Sequence, residues 1–230
     1  MPNPPCQAAL IIGAGPGLSA ALARRLAAAG VPVALAARDT AKLAGLLKET
    51  GAMAVAADAT DPDAVARLFA AVDSGIGEPD LVVYNPSRRV RGPLAELDPV
   101  AVRDALAVTA FGAFLAVREA ARRMVPRKAG TILLTGASAG LKGFAHSAPF
   151  AMGKFALRGL AQSAARELHP KGVHVAHVVI DGGIRPAGTS DPESRMLDPD
   201  AIAGACLDLV RQPRSAWTLE LELRPWVESF

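Results

Sequence analysis

A chain of 230 residues, 51% of them hydrophobic and with a net charge of +3, can bury a full core as one domain over residues 1–230. Its Lys and Arg residues are interleaved with Asp and Glu instead of forming a stripe, which argues against a nucleic-acid partner, and its longest apolar runs are of strand length, which argues against a membrane span. Two isolated thiols, Cys6 and Cys206, and four histidines with no carboxylate cluster around them argue against a structural metal or a disulfide.

The opening MPNPPCQ lacks the basic start and long apolar core of a signal peptide, so a cytoplasmic location is expected. The first strand, at 8–12, runs into a glycine turn and then a helix over 18–29. Gly13 lets the chain turn tightly. Gly15 and Gly17, with Leu18 opening the helix, let backbone amides and the positive helix end approach a pyrophosphate. The last position of this pattern is Ser19, and a purely structural turn is the alternative. The second strand, 31–37, ends at Arg38 with no carboxylate at position 37 to accept bonds from an adenosine ribose. Arg38 can pair with a 2′-phosphate, favouring NADP over NAD, unless it is an ordinary solvated arginine.

A helix over 40–50 and a strand over 53–57 follow, then a helix over 62–74 and a strand over 80–84. The remaining pairs are a helix over 99–124 with a strand at 131–135, a helix over 150–169 with a strand at 173–180, and a helix over 199–211 with a strand at 217–223. Three helices open on Asp-Pro pairs, Asp61-Pro62, Asp98-Pro99 and Asp198-Pro199, where Asp accepts from a free amide and Pro fits the first turn. This alternation implies βα units around a parallel sheet, and the consecutive apolar residues of the first six strands predict cover on both faces. The Gly- and Pro-rich stretch 181–198 is expected as a mobile loop over the strand ends, where an open α/β sheet binds its ligand.

Four stretches together, GAGPGLS, ADATDP, VVYNPS and PFAMGKFALRGLAQSAARELHPKGVHVAHVVIDGG, resemble the short-chain dehydrogenase/reductase family over nearly the whole chain. The resemblance implies a Rossmann-like, doubly wound α/β fold with a seven-stranded parallel sheet and helices on both faces. It also implies that Asp58 and Ala59 border an adenine and that Asn85 belongs to the turn after the fourth strand. Lys154 would bond the nicotinamide-ribose hydroxyls, and Ile184 would contact the carboxamide. The helices at 99–124 and 150–169, rich in small and apolar residues, would pair with their copies in a homodimer or homotetramer.

The family's usual catalytic set is Asn, Ser, Tyr and Lys. At the matching positions this chain carries Thr109, Ala137, Phe150 and Lys154, so only the lysine is kept. Its single tyrosine, Tyr84, ends the fourth strand and belongs to the cofactor side. Ser138 could hold a substrate oxygen or cap a turn, and His146, in the loop before the Phe150 helix, could supply a proton or be merely solvated. Asp181, at the proline of the family's Pro-Gly turn, could approach the carboxamide or a cationic substrate, or could form a turn. His169, His174 and His177 read as structural. Two functions fit: an NADP(H)-dependent oxidoreductase with altered acid–base residues, or a non-catalytic dinucleotide-binding sensor or partner subunit of the same descent.

Overall fold

The computed structural model describes residues 5–228. Seven strands form one sheet: β1 (Ala9–Ile12), β2 (Val33–Ala37), β3 (Met53–Ala56), β4 (Leu81–Tyr84), β5 (Thr131–Thr135), β6 (His174–Ile180) and β7 (Glu220–Leu223). Every pairing is parallel and the order is β3-β2-β1-β4-β5-β6-β7. The winding reverses between β1 and β4, where Ile12 stands beside Ala36 on one side and Tyr84 on the other. The Asp80 carboxylate clamps this junction, accepting from the amides of Gln7 and Ala8 at 2.9–3.0 Å.

A parallel sheet must be covered on both faces, and alternate residues of each strand serve the two layers. Ala9 and Ile11 pack with α1 (Leu18–Ala28), α2 (Ala44–Thr50) and α7 (Pro199–Val210), whereas Leu10 and Ile12 pack with α3 (Pro62–Ile76) and the helices on the opposite face. The expected two-sided cover fails at β3. Its residues are half-buried or exposed, because an edge strand is overlaid on one flank only. The three Asp-Pro starts hold: Asp61, Asp98 and Asp198 accept from amides inside their own helices at 2.9–3.1 Å.

The helix expected over 99–124 is broken in register. α4 (Pro99–Leu106) passes through a π turn, Ala107–Phe111, into α5 (Gly112–Arg127). By length and composition alone the run from Pro99 to Arg127 could cross a membrane. One face of it, with Ala113, Ala116, Ala120 and Met124, is buried against the sheet. α6 (Ala148–Leu168) starts two residues before its expected point, which puts Phe150 in the first turn and Lys154 one turn on. Loop 181–198 is tied at its base rather than free. Ile184 and Leu197 form a parallel bridge, and Arg185 pairs with Asp198 at 3.0 Å.

Candidate active site

The glycine turn lies where β1 meets α1. Gly13 has φ +82°, and a Cβ there would fall 2.7 Å from Pro86, so both conformation and contact require glycine. Gly15 and Gly17 face open space, and no side chain caps α1, which leaves its first-turn amides for an anion. The unexpected Ser19 has a job of its own. Its buried hydroxyl donates to the Gly13 carbonyl at 3.0 Å and accepts from Asn85 Nδ2 at 2.9 Å, locking the turn to the end of β4. Arg38 is exposed just beyond β2. The Asp58 carboxylate accepts from the amide and hydroxyl of Thr60 at 2.8 Å, and these bonds, helped by the Arg38 charge, hold its pKa below the usual value. An open glycine face and an uncapped helix start fit the pyrophosphate of a dinucleotide.

Beside this turn, over the C-terminal ends of β4, β5 and β6, opens a cavity of about 920 Å³. Asn85, Ser138, His146, Lys154, Asp181 and Ile184 all line it, so the structure brings together the residues that the sequence scatters over a hundred positions. Lys154 is 3% exposed, and its Nζ donates to the Thr135 carbonyl at 2.6 Å. Burial, with the Arg89 charge added, lowers its pKa to about 7. Phe150 packs on Ala137 and Ala139, with its ring centroid 5.8 Å from Lys154 Nζ. Phe150 and Ala137, two of the positions that the family resemblance matches to catalytic groups, therefore touch each other through an apolar surface.

Thr109 is buried in the π turn, and its Oγ1 accepts from the Arg88 amide at 3.4 Å. The same turn exposes the Val108 carbonyl, which accepts from the Tyr84 hydroxyl at 2.5 Å. Tyr84 is buried, its pKa raised by desolvation, and it does not line the cavity, so the one phenol of the chain is committed elsewhere. The hydroxyl of Ser138 caps no turn; Ala137 holds the cap position without a side-chain bond. His146 takes a left-handed conformation at φ +58°, and its carbonyl accepts from the Gly92 amide at 3.2 Å.

Asp181 is buried and paired with Arg224 at 3.0 Å, an internal ion pair rather than an open carboxylate. The other histidines are structural, as expected: His174 stacks on Trp217 at 5.0 Å, His169 bonds Val175, and His177 bonds Glu220 at 2.9 Å. Sequence reasoning passed over Arg89, Arg91 and Lys142, which also line the cavity. The signal for the two arginines was the stretch SRRVR shortly after β4, next to the point where the winding reverses.

The short chain dehydrogenase family model matches residues 7–192. A 3-oxoacyl-[acyl-carrier-protein] reductase, MabA of Mycobacterium avium, is 33% identical over 85% of this chain and 72% of its own length. A short-chain dehydrogenase from Rhodopseudomonas palustris is 36% identical with a TM-score of 0.82, covering 96% of this chain and 99% of that one. A metagenomic short-chain oxidoreductase in complex with NADP is 31% identical with a TM-score of 0.85, over 96% of this chain and 98% of that one.

Proposed function

Because the chain belongs to the short chain dehydrogenase family, whose relatives here are oxidoreductases, we propose that it is an NADP(H)-dependent oxidoreductase acting on a small organic substrate, with Lys154 in the acid–base role. The observation that carries this reading is the buried Lys154 amine, which lines the cavity and changes protonation near neutral pH. A general acid or base works best with a pKa near the operating pH, and its loss slows a step roughly 10²–10⁴-fold, about 3–5 kcal/mol of barrier.

Gly13, Gly15, Gly17 and Leu18 would hold the pyrophosphate, Arg38 the 2′-phosphate, Asp58 and Ala59 the adenine, Asn85 and Ile184 the nicotinamide end. The bound cofactor supplies or accepts the hydride. Lys154 would bond the ribose hydroxyls and carry the proton that a phenol carries in the family's usual set, Ser138 would orient the substrate oxygen, and His146 would be a second proton donor. An imine, an activated alkene or an already protonated centre makes the smallest demand on such a set. Arg38 without a carboxylate at position 37, and an NADP complex among the similar structures, support NADP over NAD. We further propose one domain over 1–230, a cytoplasmic location, and a homodimer or homotetramer built on α5 and α6. Phe111, Phe114, Met152 and Phe155 on or beside these helices are 45–50% exposed, an apolar face that a second copy would cover.

The test is calorimetric binding of NADPH and NADH to the wild type and to Arg38→Asp, followed by cofactor oxidation against a panel of ketones, imines and enones. The wild type should prefer NADPH at least about tenfold, and the variant should lose that preference. Equal affinities throughout would refute the assignment of Arg38. Tight NADPH binding with no oxidation over the panel would make the chain a dinucleotide-binding sensor or partner subunit.

A further inference from the structure

The segment Ser87-Arg88-Arg89-Val90-Arg91 leaves β4 along the cavity rim, and its cations alternate in direction. Arg88 turns out to Asp104 at 3.5 Å, whereas Arg89 and Arg91 line the cavity, joined by Lys142 from the connection after β5. Among the described residues no carboxylate lies in ion-pair range of Arg89, Arg91 or Lys142. Arginines on neighbouring elements are spent on partners: Arg158 on Glu220, Arg185 on Asp198 and Arg224 on Asp181. Of the two acids on the cavity wall, Asp181 is paired with Arg224 at 3.0 Å, and Glu228 lies beside Gly182. Among the described residues, the cavity is left with an excess of positive charge that no carboxylate pairs.

The loop is also held in place. The Arg88 amide is bound by Thr109 and the Gly92 amide by the His146 carbonyl, while Pro86 rests on Gly13. The Arg89 guanidinium lies over the Phe150 ring, 4.5 Å from its centroid. Thr109 and Phe150, two positions where the usual catalytic groups are replaced, are thus the two that touch the arginine segment. A guanidinium fixed over a ring and pointed into a part-apolar cavity matches a planar oxyanion.

We infer that Arg89 and Arg91, aided by Lys142, recognise an oxyanion on the substrate, so that the enzyme acts on small organic acids whose apolar body rests on Phe150, Ala137 and Ala139. This rests on the oxidoreductase reading and names its substrate class. A carboxylate and a phosphate monoester share the chemistry, and the experiment separates them.

Benzoate, phenyl phosphate and the neutral isostere benzamide are titrated by calorimetry into the full chain, alone and saturated with NADP, with the fold of each variant checked by circular dichroism. Benzoate should bind at least about tenfold tighter than benzamide, and added salt should weaken benzoate alone. The double variant Arg89→Gln, Arg91→Gln should lose the preference, and Arg88→Gln, whose side chain faces away, should keep it. Tighter binding of phenyl phosphate, lost in the same double variant, would assign the anion as a phosphate. Equal binding of benzoate and benzamide, or a preference that survives in the double variant, overturns the inference. Failure of NADP to bind while benzoate binds would sink the oxidoreductase reading instead.

Discussion

Replacing Lys154 by methionine should make the free protein more stable while abolishing its use of cofactor. The amine titrates at about 7 against an ordinary 10.5, because it is buried and because Arg89 lies nearby. At about 1.4 kcal/mol per pH unit, keeping the ammonium folded at neutral pH costs roughly 5 kcal/mol. Methionine fills similar space but gives up the bond to the Thr135 carbonyl, worth roughly 1–2 kcal/mol with a buried acceptor left behind. The expected net gain is about 3 kcal/mol. Its pH dependence follows from the same values. Between about 7 and 10.5 the unfolded chain holds a proton that the folded chain has released, so wild-type stability climbs with pH across that window. The advantage of Lys154→Met is therefore full at or below the lower value and fades towards the upper one. Urea unfolding of both proteins, without cofactor, at neutral pH and near the upper value measures it. A variant no more stable at neutral pH, or a gap that stays constant across the window, would refute the account of Lys154 as a charge held against its solvation.

Phe150→Tyr should create a phenol that ionises below its ordinary value of about 10, since the Arg89 guanidinium lies over the ring. Tyr84 is the one other tyrosine and is buried with its pKa raised, so phenolate absorbance reports the new group alone, and a phenol titrating at or above 10 would show that the Arg89 charge does not act there. Light scattering at micromolar concentration should give a dimer or tetramer, and Phe114→Ser with Phe155→Ser should raise its dissociation constant on the order of 100-fold or more. A wild-type monomer would contradict an interface on these helices.

The framework was legible because its signals are local. Strand-length apolar runs, Asp-Pro starts and the glycine turn each depend on neighbours within a few residues, and they place all seven strands and most helix ends. The break in the 99–124 helix was not legible. The π turn at Ala107–Phe111 satisfies Tyr84 through Val108, a partner 24 positions away, and nothing in AVTAF marks it. The exposure of β3 has the same origin, since MAVA reads as a buried strand until its edge position is known. For the site, Lys154, Asn85 and Ile184 carried family motifs. Arg89 and Arg91 did not, and an arginine-rich loop reads as solvated until the fold shows that alternate residues turn inward.

The clamp at Asp80 bears on how this chain assembles as it is made. β1 is made before every other strand of the sheet, yet one of its two neighbours, β4, begins only at Leu81. The nascent chain can build β1, β2 and β3 into a one-sided wing, but that wing carries the open edge of β1 until β4 arrives. Gln7 and Ala8 then meet a carboxylate 72 to 73 positions downstream, a long-range closure of the kind that sets folding speed. The later strands β5, β6 and β7 add outward in order from that seam, each to the one made before it. Synthesis through β4 is therefore the point at which the edge of β1 is closed and the growing edge passes to strands that follow in chain order.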